Sequence, residues 1–168
     1  MKRFIALFVG IYIAVLGYAV PRGIERVKIG DRLPYFSVTD QNGDAFCSDN
    51  LIKPTLVVFF HTRCYDCRKE LPVLQDIYEY YGQQIQIICI SRAEAESTIS
   101  SYWCSNKLAL PFSAQEDKRV FKLFADRVIP RVYLVDSSGI VRAVFVERFK
   151  KRKLNKAIQK EIQRNNKI

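Results

Sequence analysis

Thr55–Phe60 reads TLVVFF, an apolar run with no polar alternation and with β-branched and aromatic residues throughout. That pattern predicts a strand buried on both faces. Gln84–Ser91 (QIQIICIS) predicts a second buried strand. Between them Leu71, Leu74, Ile77 and Tyr78 recur at helical spacing, which predicts a helix from about Cys64 to Tyr81. Upstream, Tyr35–Thr39 alternates, Asn42-Gly43 supplies a turn and Ala45–Cys47 resumes, the pattern of a β-hairpin. Downstream, a helix is expected over Glu94–Asn106 with Ser91 in its N-cap region. A short segment starts at Phe112, and a short helix is expected over Asp117–Phe124. Arg131–Val135 and Ile140–Val146 read as paired strands around the turn Asp136-Ser137-Ser138-Gly139. Phe149–Gln163 closes the chain as a basic amphipathic helix. Strand–helix alternation followed by a hairpin and a last helix predicts a three-layer α/β domain with a mixed sheet.

One further run has a different meaning. Lys2-Arg3 precede Phe4–Val20, 17 residues without a charge, and Gly17-Tyr18-Ala19 places small residues before a potential cleavage point. This is the layout of a secretory signal. A retained membrane anchor over 4–20 is the alternative, since the run as a helix would span roughly 25 Å, a little short of a bilayer core. Either way export is expected, into a compartment that permits disulfides. The domain plan is therefore a signal or anchor over 1–20, a polar linker over 21–29 and one domain over 30–168. With 49% hydrophobic and 26% charged residues, disordered and low-complexity classes are excluded. A body of that length can bury a full core without disulfides.

The net charge of +10 suggests nucleic acid until it is located. Residues 147–168 hold nine Lys/Arg against two acids, and Lys2 and Arg3 add two more. The remainder, 4–146, has sixteen basic and fifteen acidic residues. The charge belongs to the two ends, so no nucleic-acid partner is expected. The run Lys150-Lys151-Arg152-Lys153 reads first as a solvated face and second as an anionic-membrane contact.

The candidate chemistry is Cys64-Tyr65-Asp66-Cys67, which follows a buried strand and opens a helix. Spacing of three on a first helical turn lets two sulfurs bond in a small ring. Free N–H groups at a helix start favour a thiolate at Cys64. Cys67, one turn deeper, is expected to be more buried and less ionised. The pair then divides the labour: Cys64 attacks a disulfide, and Cys67 resolves the mixed disulfide. A C-x-x-C can also be half of a zinc or copper site, with His61 as a third ligand. A short structural disulfide is the remaining reading.

The stretch LVVFFHTRCYDCRKELPVL resembles the TlpA/ResA-like branch of the thioredoxin superfamily. So does Gly30-Asp31-Arg32-Leu33-Pro34-Tyr35-Phe36 followed by Asp40 and Gly43, which is similar to that family's entry hairpin. The resemblance covers about residues 30–163. It implies a thioredoxin-like three-layer sandwich, a mixed β-sheet with helices on both faces and an N-terminal β-hairpin. It also implies an exported, periplasmic thiol–disulfide oxidoreductase, free or anchored to the inner membrane by the N-terminal segment. Its partners would be proteins with disulfides and an upstream membrane thiol donor, and it would need no cofactor beyond the Cys64–Cys67 disulfide. Pro72 sits where thioredoxins kink the active-site helix, and Ile129-Pro130 where they carry a cis-proline. A cis peptide there would leave the Ile129 N–H and C=O free to pair with an extended substrate.

The departures from that family tune the site. Arg63 stands where the family has Trp, and Asp66 where it often has Pro. Arg63, Arg68 and Lys69 favour the thiolate and a carboxylate at Asp66 opposes it, so the sign of the redox poise stays open; Asp66 reads either as making the pair more reducing or as a solvated cap of the helix. Tyr65 completes the motif. Val58 stands where thioredoxin has a buried acid, which leaves Glu70 as a substitute proton carrier or a solvated helix residue. Cys89 reads as a buried small hydrophobe, His61 as structural, and Tyr102 and Trp103 as packing residues. Cys47 and Cys104 could pair only if the fold brings their Cα atoms within about 7 Å.

Three functions compete. A thiol–disulfide oxidoreductase, acting more as a reductase than as an oxidase, fits the dithiol. A metal-delivery module on the same fold would need a downstream histidine, and none follows His61. A peroxidase wants Pro/Thr-x-x-Cys, where this chain has His61-Thr62-Arg63-Cys64.

Overall fold

The computed structural model describes residues 23–166. The run over 4–20 lies outside them, so the signal and anchor readings are both outside the described residues. Among the described residues no helix is long and apolar enough to cross a membrane.

Five strands form the central sheet. β3 (Thr55–Phe60), β4 (Gln86–Ser91), β5 (Phe112–Ser113), β6 (Arg131–Val135) and β7 (Val141–Val146) lie in the order β5-β4-β3-β6-β7. β3 pairs parallel with β4 and antiparallel with β6, so the sheet is mixed as expected. β1 (Ser37–Thr39) and β2 (Ala45–Cys47) make a separate two-stranded hairpin sheet. The helices are α1 (Tyr65–Tyr81), α2 (Glu96–Ser105), α3 (Arg119–Phe124) and α4 (Lys151–Asn165).

All six residues of β3 are buried, the result of a central strand covered on both sides. Side chains alternate across a strand, so Phe59 and Phe60 report opposite faces of the sheet. Phe59 packs on Phe121 and Phe124 of α3, with ring centroids 5.4 and 4.7 Å away. Phe60 packs on Trp103 of α2 at 4.9 Å. Helices thus cover both faces, and the three layers follow from the alternation. Trp103 also meets Phe112 at 5.0 Å and donates its Nε1–H to the Leu110 carbonyl at 2.9 Å, a packing role.

Several boundaries differ from expectation. The second strand begins at Gln86, because the Gln84 and Ile85 N–H groups close a turn on the Tyr81 carbonyl. α2 begins at Glu96 with Ala95 as its N-cap, and Ser91 caps nothing. Ser91 ends β4 with its hydroxyl accepting the Gln115 N–H at 2.7 Å. Ala93 breaks the chain there with φ of 65°. α3 starts at Arg119, since Asp117 turns back to accept the Arg119 N–H at 2.7 Å. α4 runs from Lys151 to Asn165, two residues later than predicted.

The stretch expected to be a linker is tied to the body from Gly23 on. Val27 is buried, the Arg26 N–H donates to the Phe124 carbonyl at 2.9 Å, and the Ile24 N–H donates to Asp126 at 2.7 Å.

The turn between β6 and β7 carries a pH-sensitive contact. Burial alone would raise the Asp136 carboxyl, but the Ile140 N–H, Arg142 guanidinium and Ser138 N–H outweigh it and hold it below its usual range. A depressed carboxyl adds stability above its ordinary value and loses it as pH falls through the lower folded value. Asp136→Asn is expected to cost about 1–3 kcal/mol near pH 7 and less at an acid pH where the folded carboxyl protonates. Urea unfolding at both pH values measures the difference.

Candidate active site

The site sits at the carboxyl ends of β3 and β4, where open α/β sheets collect their ligands. The chain leaves β3 through His61-Thr62-Arg63 and enters α1 with Cys64 as its N-cap. The Cys64 sulfur accepts the Cys67 N–H at 3.4 Å, one of the free donors of the first turn. Its side chain is half-buried, and the thiol lies 3.5 Å from the Ile129 carbonyl oxygen as donor. The Ile129–Pro130 peptide is cis. The structure therefore brings Cys64, Cys67, Ile129 and Pro130 together.

Cys67 is completely buried. Desolvation pushes its thiol far above the ordinary value, and its hydrogen bond with Cys64 adds to that. A backbone hydrogen bond from His61 and the charge of Arg92 pull the other way and do not restore it. The two sulfurs thus differ as expected: one reaches solvent and the other is held protonated. All five cysteines are thiols. Cys47 donates to Asp49 at 2.9 Å, Cys104 is exposed, and Cys89 is fully buried with its thiol pushed up by desolvation.

The flanking residues behave differently from one another. Arg63 and Tyr65 are exposed. The Lys69 ammonium lies over the Tyr65 ring at 5.5 Å and the Arg68 guanidinium over Tyr102 at 6.0 Å, so two expected thiolate-stabilising cations face aromatic rings. Glu70 is not a solvated helix residue: it is buried, with Oε2 lacking a hydrogen-bond partner. Burial raises its carboxyl, the Phe149 N–H and the Arg148 guanidinium lower it, and half-buried Asp66 raises it further. A raised carboxyl favours the protonated fold, so this contribution to stability fades as pH rises through the folded value. Glu70→Gln is expected to gain stability at neutral pH and none in acid, which denaturant titrations at the two pH values test.

Glu94 escaped the sequence reading. It was expected inside α2, but the left-handed turn at Ala93 swings it out of the helix. Its carboxylate is buried and accepts both the N–H (2.8 Å) and the hydroxyl of Thr62. His61 Nδ1 lies 3.5 Å from the same carboxylate and accepts the Arg63 N–H at 3.1 Å. Glu94 therefore clamps the loop that delivers Cys64. Its position just past a buried strand was the available signal. His61 keeps the structural role expected of it. Among the described residues no group of three or more His, Cys, Asp and Glu side chains is arranged to hold a metal, so the metal reading finds no ligand set.

The model of the AhpC/TSA family matches residues 29–144. The thiol-disulfide oxidoreductase ResA of Bacillus cereus (strain ZK / E33L) is 25% identical over 170 residues, 95% of this chain and 98% of that protein. ResA of Bacillus subtilis (strain 168) is 26% identical over 137 residues, covering 78% of this chain and 76% of its own. A thiol:disulfide interchange protein of the thioredoxin family from Chlorobium tepidum TLS shares the fold, with a TM-score of 0.69 at 22% identity over 80% of this chain and 98% of its own. The resemblance read from the CYDC stretch is the one these relatives carry. The chain belongs to the AhpC/TSA family, and its activity class is thiol–disulfide oxidoreductase.

Proposed function

We propose that the protein reduces disulfides in other proteins outside the cytoplasm, with Cys64 as the attacking sulfur and Cys67 as the resolving one. The observation that carries this reading is the asymmetry of the pair: Cys64 caps a helix and reaches solvent, while Cys67 is buried and protonated one turn below.

The Cys64 thiolate attacks one sulfur of a substrate disulfide. A Cys64–substrate disulfide forms and the other substrate sulfur leaves as a thiolate. Cys67 then loses its proton and attacks Cys64, which releases the second substrate thiol and closes Cys64–Cys67. Two electrons pass from the dithiol to the substrate, and a membrane thiol donor must return them. No cofactor enters this cycle. The backbone at Ile129 and Pro130 guides the extended substrate past Cys64. Arg63, Tyr65 and Asp66 set the redox poise around the sulfurs, and Glu70, three residues from Cys67 on the same helix, takes part in its proton transfer. The segment over 4–20 exports the chain and keeps it at the membrane or is cut away.

The test is trapping in cells with full-length Cys67→Ser. Partners are expected on Cys64 as adducts that dithiothreitol releases. Empty traps, together with full activity in Cys64→Ser, would defeat the reading.

A further inference from the structure

We propose that Arg131 is a positioning residue for substrate docking: gripped by Glu25, it fixes the Val128–Ile129 backbone against Cys64. The proposal rests on the oxidoreductase reading above and names a control on its substrate loop.

Arg131 follows Pro130 and opens β6. Its side chain is only 2% exposed, one of the largest side chains to be wholly buried. Two sets of acceptors hold it. Its Nη1 donates to both oxygens of Glu25, at 2.6 and 2.5 Å, and the Tyr133 hydroxyl donates to the same carboxylate at 2.9 Å. Its Nε donates to the Val128 carbonyl at 2.9 Å and to the Arg127 carbonyl at 3.2 Å.

Val128 is the informative partner. Its φ is 60°, a left-handed conformation that a β-branched residue avoids. Such backbone is strained and persists only where its surroundings over-determine it. The hydrogen bond from Arg131 falls on the carbonyl of that residue. The next carbonyl, that of Ile129, lies 3.5 Å from the Cys64 sulfur. One guanidinium thus runs from the N-terminal segment to the peptide beside the nucleophile.

Packing alone does not require this arrangement. Arg131 is buried and Glu25 only partly so, and buried ion pairs are commonly replaced by apolar side chains without loss of stability. What apolar residues cannot supply is the donor to the Val128 and Arg127 carbonyls. Glu25 in turn sits on backbone tied down at Ile24 and Arg26. The segment that follows the apolar run over 4–20 is thereby coupled to the loop that receives substrate.

The test uses the full chain with Arg131→Met and Glu25→Gln. Glu25→Gln keeps the arginine and carries the test if Arg131→Met fails to fold. Insulin reduction reports a protein disulfide, hydroxyethyl disulfide reports the bare reactivity of Cys64, and amide hydrogen exchange reports the loop. Both variants are expected to raise KM for insulin about tenfold, the scale of one charge-assisted hydrogen bond. Their kcat, and their rate with hydroxyethyl disulfide, should stay within about twofold of wild type. Exchange at the Val128 and Ile129 amides should quicken. An unchanged KM, or a parallel fall with both disulfides, overturns the proposal, the second by showing a merely structural role. If wild-type protein reduces no disulfide, the functional reading fails. In that event faster exchange in Glu25→Gln still upholds the coupling to the loop, and unchanged exchange defeats it.

Discussion

Cys64→Ser is expected to lower protein-disulfide reduction by at least ~10³-fold while leaving thermal stability close to wild type. The two halves of that result have separate causes. The lost activity is chemical, because a serine hydroxyl forms no mixed disulfide and Cys67, fully buried, cannot reach a protein substrate in its place. The kept stability is structural. Cys64 is the N-cap of α1, and its sulfur accepts the Cys67 N–H. Serine is among the best N-cap residues and presents an oxygen to the same donor. Most nucleophile substitutions leave open whether the fold suffered, whereas here the replacement serves the cap at least as well as cysteine. Stopped-flow reduction of insulin beside a melting curve checks both halves. Residual activity within about tenfold of wild type would place the chemistry elsewhere.

Cys67→Ser makes the complementary case. It keeps the first attack and stops at the mixed disulfide, so no turnover is completed and the substrate stays bonded to Cys64. A metal site would make the two cysteines equivalent. A resolving pair makes them opposite, as their burial already does.

The legible parts of the fold were those set by local pattern. β3 was readable because a strand covered on both faces leaves no polar alternation, and all six of its residues are buried. The dithiol was readable because its chemistry needs a fixed spacing at a helix start, and the resemblance supplied the cis Ile129–Pro130 peptide. The missed parts were set by distant partners. Glu94 matches helical composition, and distant partners draw it out of the helix: Thr62, 32 positions away, on its carboxylate and the Gln115 carbonyl on its N–H. Arg131 reads as an ordinary strand residue, since its partner Glu25 lies 106 positions upstream in a stretch that looks like a linker. Glu70 reads from sequence as a proton carrier or a solvated residue, and its burial is a consequence of where Arg148 and Phe149 return to α1. Pairings of this range leave no trace in periodicity.

Phe59→Ala is expected to cost about 3–5 kcal/mol, a large share of the stability of a domain this size. Phe59 lies on the central strand, paired with Ile90 on one side and Arg131 on the other. Its ring is fully buried between Phe121 and Phe124 of α3 and meets Tyr133 of β6 at 6.2 Å. Phe124 in turn meets Phe36 at 5.6 Å, so the same cluster joins the segment before the entry hairpin to the sheet. Truncation opens a cavity bounded by rigid rings and a sheet, neither of which can collapse to fill it. The melting point should fall by about 10 °C or more. Phe59→Leu, which refills most of the volume, should cost well under half as much. Urea unfolding compares the two variants, and a loss below about 1 kcal/mol for the alanine variant would contradict the packing. The activity of the folded fraction is the sharper measurement. The ring packs on Phe121, Phe124 and Tyr133, so Cys64 in folded Phe59→Ala should still react with hydroxyethyl disulfide at nearly the wild-type rate. Cys64→Ser and Phe59→Ala then separate two properties of neighbouring segments: one removes the chemistry and spares the fold, and the other weakens the fold and spares the chemistry.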